Sequence, residues 1–126
     1  MNLIELVDIV GGMPLAGKFN ETTPIYGGCG ADLMSDVLAS IEPGAVLLTG
    51  LTNPQIIRTA QMADVAAIVI VRGKTPPQAT IELALKEGVP LFSSPFGMFE
   101  LCGRLYKAGL TSLEKQVGVD PECGCP

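Results

Sequence analysis

The stretch from Gly12 to Phe19 reads GMPLAGKF, which places Gly12 and the pair Gly17-Lys18 at the spacing of a phosphate-binding P-loop. A P-loop needs a Ser or Thr hydroxyl after the lysine to hold Mg²⁺, and it lies between a buried strand and a helix. Phe19 has no hydroxyl, and Pro14 has no backbone N–H to offer a phosphate. We therefore predict that the chain is not an enzyme that hydrolyses nucleotides at this segment.

The residues before this segment predict a helix, whereas a P-loop requires a strand there. The apolar residues between positions 2 and 10 recur at the spacing of one helix face: Leu3, Leu6, Val7 and Val10. The glycine pair at 11–12 is typical of a helix end. After it we expect a hairpin-like stretch through Leu15 and Phe19, with Gly17-Lys18 in a turn.

Composition limits the class of protein and its partners. The chain has 126 residues, of which 48% are hydrophobic and 17% are charged, and its formal net charge is −5. The hydrophobic residues are enough to form the core of one compact domain. The chain lacks the excess of basic residues that is typical of proteins that bind nucleic acid or an anionic membrane. No apolar run approaches the roughly 20 residues of a membrane span, and the start MNLIELVD is acidic, so we expect a cytoplasmic protein with neither partner. The absence of histidine removes the commonest general base.

From residue 45 onward, short apolar runs alternate with amphipathic segments. AVLLT, VAAIVIV and VPLFSS are each followed by a segment of helical length. This alternation is typical of strand–helix–strand units around a parallel sheet that is buried on both faces. We predict a single α/β domain with a mostly parallel sheet of about four to five strands and flanking helices. Each helix start is expected at a polar cap followed by proline, namely Asn53-Pro54, Thr75-Pro76 and Ser94-Pro95.

The segment before residue 45 has a weaker pattern. We expect a strand near Ile25, a loop or short helix over residues 33–41, and a turn at 42–44. The run at 27–30, GGCG, favours a tight turn or bulge over an anion-binding nest. Cys29 as a nucleophile would need a base, and with no histidine this would be Asp32, Asp36 or a lysine.

The loops after the predicted strands are the candidate binding site. Ligands of open α/β sheets lie outside the carboxyl ends of the strands, where helix N-termini and their free N–H groups gather. Two cations in one of these loops would suit a small anion such as a phosphate. The alternative is that the polar residues are ordinary helix caps and the cations are solvated. The candidate ligand-binding residues are Thr49, Gly50, Thr52, Asn53, Arg72, Gly73, Lys74, Ser93 and Ser94.

The chain has four cysteines, which we considered as core residues, nucleophiles or metal ligands. Cys102 falls on an apolar helix face with Met98, so core packing is the better interpretation. After residue 110 the periodicity is lost, which predicts a domain over residues 1–110 and a flexible tail over 111–126. In that tail Cys123 and Cys125 could supply two thiolates to Zn²⁺ or an iron–sulfur cluster, but a complete site would need Cys29 or a second chain. We expect no metal and no cofactor other than a nucleotide ligand, with the two cysteines incidental.

Three segments resemble the DRTGG-domain family: LIELVDIVGGMPLAG, the region YGGCGADLMSDVLASIEPGAVLLTGLTNPQIIRTAQMADVAAIVIVRG, and EGVPLFSSPFGMFELCGRLYKAG. The pentapeptide that gives the family its name is absent. More distantly, the chain is similar to the N-terminal domains of HPr kinase/phosphorylase and of the Mur ligases. The resemblance implies an accessory regulatory domain, associated in some proteins with adenine nucleotide binding and dimerisation. Stand-alone versions that resemble this chain accompany iron-only hydrogenase and related redox proteins.

These observations predict a non-catalytic regulatory domain rather than an HPr kinase. It would bind a small anionic ligand, an adenine nucleotide, and would form a homo-oligomer, expected to be a dimer, or dock on a separate enzyme. The alternative is a pure protein-interaction or assembly module, such as part of a hydrogenase-related redox complex.

Overall fold

Five strands form one sheet: β1 (Met13–Ala16), β2 (Gly27–Gly30), β3 (Ala45–Thr49), β4 (Ala67–Ile70) and β5 (Leu91–Ser93). Their order is β1-β5-β4-β3-β2, with β1 antiparallel to β5 and the other neighbours parallel. The computed structural model describes residues 1–16 and 19–115. This arrangement confirms the predicted fold class and the mostly parallel sheet.

Five helices cover the two faces of the sheet: α1 (Leu3–Val10), α2 (Met34–Ser40), α3 (Gln55–Met62), α4 (Gln78–Glu87) and α5 (Met98–Lys107). Helices α2, α3 and α4 connect successive parallel strands, and each crossover steps in the same direction across the sheet. Because such crossovers are right-handed, the three helices lie on one face. Helices α1 and α5 pack together on the other face.

The buried strands supply side chains to both layers. Leu47 of β3 packs with Ile56 and Ile57 of α3, whereas its neighbour Leu48 packs with Leu6 and Leu101 on the opposite face. All six are almost completely buried, and burying a side chain of this size stabilises the fold by about 1.5–3 kcal/mol. The continuous apolar runs of the sequence therefore reflect a sheet covered on both sides.

The glycine-rich run at 27–30 is strand β2, so the prediction of a tight turn there was wrong. It pairs in parallel with β3, and the backbone N–H of Gly28 donates to the Thr111 carbonyl at 2.9 Å. A Cβ on Gly27 would lie 2.5 Å from the Cβ of Leu113. The glycine is needed because another segment passes against the strand. The strand expected near Ile25 begins two residues later, at Gly27.

The described part of the expected tail lies against the sheet. Residues 111–115 follow the outer edge of β2, where the Leu113 N–H donates to the Gly28 carbonyl at 2.9 Å. The Lys115 N–H donates to the carbonyl of Ser40 at the end of α2, at 2.7 Å. Residues 111–115 therefore pack with the domain, and the division into a domain and a tail stays a prediction. Cys123 and Cys125 lie outside the described residues.

The N-terminal region contains the predicted helix followed by a strand that pairs elsewhere in the sheet. Strand β1 pairs with β5, and not with the described residues that follow it from Phe19 onward, so the expectation of a local hairpin was wrong. Pro14 lacks an N–H group and is tolerated because β1 is an edge strand. Phe19 packs edge-on against Phe92, with the ring centroids 5.0 Å apart. Gly17 and Lys18, the expected turn, lie outside the described residues.

Candidate functional site

The loops that follow strands β2 to β5 lie at one edge of the sheet, because these strands are parallel. We call this the carboxyl edge; it comprises Asp32, residues 49–53, residues 72–74 and residues 93–97. All nine predicted ligand-binding residues belong to it. Their surroundings differ strongly along the edge.

The gap between β4 and β5 forms one end of the carboxyl edge. The chain leaves β4 toward α4 on one face of the sheet and leaves β5 toward α5 on the other face. A change of face between neighbouring strands is the position where open α/β sheets hold their ligands. Here two backbone hydrogen bonds join the loops: Arg72 N–H donates to the Phe96 carbonyl at 2.8 Å, and Gly73 N–H to the Ser94 carbonyl at 2.6 Å.

Arg72 and Gly73 both adopt the left-handed backbone conformation, with φ angles of +65° and +64°. This region is unstrained for glycine but costs about 1 kcal/mol or more for arginine. The conformation holds the exposed Arg72 side chain beside the start of α5, where its Nε lies 4.0 Å from the position that a Cβ on Gly97 would occupy. Gly97 is the N-cap residue of α5. A guanidinium and an uncovered helix start therefore adjoin at the gap.

The three helices that begin at this edge after β3, β4 and β5 have no side-chain caps. The predicted caps Asn53, Thr75 and Ser94 were wrong, since the observed N-cap residues are Pro54, Pro77 and Gly97. Proline disfavours the helical region for the residue before it, so the chain stays out of α4 until the second of its two prolines. The first N–H groups of α3, α4 and α5 are thus not occupied by cap side chains, and they carry the positive end of each helix dipole.

At the other end of the carboxyl edge, two side chains hold the peptide groups of Gly50. Its N–H donates to Asp32 Oδ1 at 2.6 Å, and its carbonyl accepts from Lys74 Nζ at 3.1 Å. The hydroxyl of Thr49 also donates to Asp32 Oδ1, at 3.3 Å. Lys74 is therefore engaged with the protein itself. A carboxylate beside it makes this end of the edge less favourable for an anion than the end at Arg72.

Two predicted ligand residues are buried and use their hydroxyls inside the protein. The Ser94 hydroxyl donates to the Val10 carbonyl at 2.7 Å and accepts from the Phe96 N–H at 3.2 Å. The Thr49 hydroxyl, besides its bond to Asp32, accepts from the Leu51 N–H at 3.1 Å. Both side chains fix the loops in place rather than face solvent.

The remaining predicted residues are less constrained by side-chain contacts. Thr52 is half-buried, and its carbonyl accepts from the Thr80 hydroxyl at 2.7 Å, which ties the loop before α3 to α4. Ser93 is half-buried within β5 and pairs with Met13 of β1. Asn53 is exposed. The edge therefore brings together Arg72, Gly73 and the start of α5, with Thr52 and Asn53 further along.

Sequence reasoning missed Asp32 and Gly97 as members of this edge. Asp32 follows β2 by two residues, and it would have been placed here if the glycine run had been interpreted as a strand. Gly97 was hidden because α5 was expected to begin at Ser94-Pro95. The signal in the sequence was Pro95-Phe96-Gly97, since α5 starts after this glycine.

Cys29 is unsuited to nucleophilic chemistry at neutral pH. Burial, together with the nearby Glu114 carboxylate, raises the pKa of its thiol to about 12. The thiol donates to Glu114 Oε2 at 3.5 Å, and it remains protonated because of the raised pKa. The pKa of Cys102 is also raised, first by burial and then by Glu114. Its half-buried side chain packs against the core, as predicted.

No group of three or more His, Cys, Asp or Glu side chains in residues 1–16 and 19–115 is arranged to hold a metal ion. Over the same residues, none of the helices has the length and apolar character needed to cross a membrane.

The family model of the DRTGG domain matches residues 5–108 of the chain. The chain belongs to the DRTGG domain family. The comparison thereby supports the family resemblance that was stated from sequence. A search of curated proteins found no match.

A solved structure with a similar fold contains the CBS and DRTGG domains of the regulatory region of Clostridium perfringens pyrophosphatase, complexed with its activator, diadenosine tetraphosphate. The two share 16% sequence identity with a TM-score of 0.70, and the similarity covers 94% of this DRTGG chain. It covers 52% of the pyrophosphatase chain, so this chain spans about half the length of that regulatory region. At this level of identity the comparison shows a shared fold.

Proposed function

We propose that this DRTGG domain is a non-catalytic regulatory module that binds an adenine nucleotide through its phosphates. The observation that carries the proposal is the position of Arg72, which lies beside the uncapped start of α5 at the gap between β4 and β5. A guanidinium and free backbone N–H groups are donors that bind phosphate oxygens well. The similarity to a regulatory region complexed with a nucleotide supports the same ligand class.

A regulatory role further implies that ligand binding is communicated to another protein surface. We propose that the domain forms a homo-oligomer or docks on a separate enzyme. The hydrogen bonds from Arg72 and Gly73 to the loop before α5 provide a physical link, because a ligand held at Arg72 would bear directly on the position of that helix. Ligand binding would then favour one conformation of the loop before α5.

The second candidate is an interaction module without a ligand, as could serve a redox complex. Exposed aromatic side chains on α5, Phe99 and Tyr106, favour it. The two candidates differ in whether the chain binds a small molecule in solution, because only the regulatory module has a ligand that would further stabilise the folded state.

Thermal unfolding with a series of ligands separates the two candidates. We expect AMP, ATP or diadenosine tetraphosphate to raise the melting temperature in a concentration-dependent way, because a ligand that binds only the folded state stabilises it. Inorganic phosphate should have a smaller effect and adenosine the smallest, since the proposed contacts are with phosphates. An unchanged melting temperature with every nucleotide would contradict the proposal and favour the interaction module.

A further inference from the structure

Helix α5 presents an exposed aromatic face to solvent. Phe99 is 95% exposed and Tyr106 is 59% exposed, whereas Leu101 and Leu105 on the opposite side of the helix are buried. With about 3.6 residues per turn, positions 99, 103 and 106 lie within roughly 60° of one another around the helix. We call Phe99, Gly103 and Tyr106 the α5 stripe. Exposed apolar side chains grouped on one side of a helix, rather than scattered singly, are a feature of contact sites.

Gly103 at the centre of the α5 stripe has no evident role within the chain itself. A Cβ at this position would meet no heavy atom of residues 1–16 and 19–115 within 4 Å, so no close approach in that part of the chain requires glycine there. Glycine within a helix is less stable than alanine by about 0.5–1 kcal/mol. Its use here leaves a shallow gap between two aromatic rings, into which another helix could pack closely.

Charged residues flank the stripe in a self-complementary way. Glu100 and Lys107 lie on the same side of it, seven residues and therefore about 10 Å apart along the helix axis. Glu100 accepts from Arg104 at 2.8 Å in an exposed pair. Lys107 takes part in neither of the two ion pairs found in the part of the chain that the structure describes.

A two-fold axis that passes between residues 103 and 104 would bring together both the aromatic side chains and the opposite charges of two copies. In an antiparallel pair of α5 helices around this axis, Glu100 lies level with the partner's Lys107, and the reverse contact forms by symmetry. Phe99 then lies about 3 Å along the axis from the partner's Tyr106, which is within reach of ring contacts. A parallel pair would place these charged flanks on opposite sides and would lose the match.

We propose that the α5 stripe is the surface through which two copies of this chain associate, with their α5 helices antiparallel. Met62 and Leu85, two exposed apolar residues on helices of the opposite face, offer no comparable arrangement: Arg58 and Glu87 beside them pair with each other, whereas Lys107 beside the α5 stripe is in neither ion pair of the described residues. The inference names the surface for the oligomerisation in the proposed function, and it does not depend on a ligand.

Sedimentation velocity over a range of concentrations tests the stripe. We expect the wild-type chain to show a concentration-dependent monomer–dimer equilibrium, which Phe99→Ala weakens about tenfold or more. Gly103→Gln should weaken it similarly while leaving the melting temperature unchanged or raised, because the site is open and glutamine favours helix. Leu85→Ala, which removes an exposed apolar side chain from the other face, is the control and should leave the equilibrium unchanged.

Charge reversal tests the antiparallel geometry. Glu100→Lys and Lys107→Glu should each weaken self-association several-fold, because each brings like charges together across the two-fold axis. An equimolar mixture of the two variants should form a heterodimer, visible by native mass spectrometry, since both contacts then become attractive. A wild-type monomer at all concentrations, or a dimer unaffected by Phe99→Ala and Gly103→Gln, would overturn the proposal. Tyr106→Ala, at the end of the α5 stripe away from the carboxyl edge, should also weaken self-association and should keep nucleotide binding, so the two proposals fail independently.

Discussion

Helix ends at the two edges of the sheet differ in how they are capped. We call the edge at which β2 to β5 begin the amino edge. Helix α1 starts there, where Asn2 and Glu5 form a reciprocal capping box, and α4 ends there at Gly88 in the left-handed conformation. Arg58 on α3 pairs with Glu87 on α4 at 2.9 Å. At the carboxyl edge the starts of α3, α4 and α5 have no side-chain cap.

This contrast separates stability from function. At the amino edge, caps and an ion pair satisfy helix ends and charges within the chain, which contributes to folding. At the carboxyl edge, the starts of α3, α4 and α5 have no side-chain cap and the backbone at Arg72 is strained, and this is where we propose that the ligand binds. The division is not complete, because Ser94 and Thr49 at the carboxyl edge are buried and serve the fold. Three pairs of substitutions and one single substitution test how far it holds.

The largest effect is expected where residues 111–113 pass beside the start of β2 at the amino edge. Gly27→Ala should lower the free energy of unfolding by about 2 to 3 kcal/mol, because the new Cβ would overlap Leu113 and the Thr111 carbonyl. Gly28→Ala is the matched control, since its Cβ would make only ordinary contacts at 3.6 Å and beyond. Urea unfolding of both variants measures the difference. Equal stabilities would mean that residues 111–113 are not packed on β2 in solution.

The next effect concerns the structural part of the carboxyl edge. Ser94→Ala should lower the free energy of unfolding by about 1 to 2 kcal/mol, because it removes a buried hydroxyl that bonds to Val10 and Phe96. Ser93→Ala, at a half-buried position, should change it little. If Ser94→Ala instead kept full stability and abolished nucleotide binding, Ser94 would be a ligand residue.

A smaller effect compares the helix starts of the two edges directly. Asn2→Ala should cost about 1 kcal/mol, because the side chain of Asn2 accepts the Glu5 N–H at 3.0 Å. Asn53→Ala removes the same side chain from an exposed position that is not the N-cap of α3, and we expect almost no change. Thermal unfolding of the two variants gives the comparison. A loss with Asn53→Ala as large as that with Asn2→Ala would show that α3 is capped in solution.

The smallest effect is a pH dependence at the amino edge. Hydrogen bonds from Gln61 and then Arg58 hold the pKa of Glu87 below its ordinary value of 4.5. A lowered pKa in the folded state stabilises the fold above pH 4.5, and this contribution is lost as the pH falls through the folded-state value. The wild-type chain should therefore be slightly more stable than Glu87→Gln at neutral pH, and the difference should shrink in acid. A difference that grows on acidification would contradict this assignment.

Much of the fold was predictable because the local signals agree with one another. The apolar runs around Leu47 and Ile68 indicate buried strands. The glycine after α4 indicates the end of that helix. The strand at 27–30 was not predictable from local pattern, because Gly27 is required by residues 111–113, which are more than 80 positions away. The antiparallel pairing of β1 with β5 is likewise set by tertiary contacts.

The candidate site was predictable as an edge of the sheet but not in its details. Topology places the loops of Arg72 and Ser94 together, and this follows from parallel strands alone. Which side chains face outward depends on hydrogen bonds between loops, and these turned Ser94 inward and engaged Lys74 with Gly50. The similarity to HPr kinase and Mur ligase domains stays a prediction.

The most direct test of the central claim is calorimetric titration of diadenosine tetraphosphate or ATP into Arg72 and Lys74 variants. We expect the double variant Arg72→Ala/Lys74→Ala to bind about 1–3 kcal/mol more weakly than wild type, with Arg72→Ala accounting for most of the loss because Lys74 already donates to Gly50. Lys86→Ala, which removes an exposed cation near the amino edge, is the control. Equal affinity of the double variant and wild type would contradict a phosphate site at the carboxyl edge.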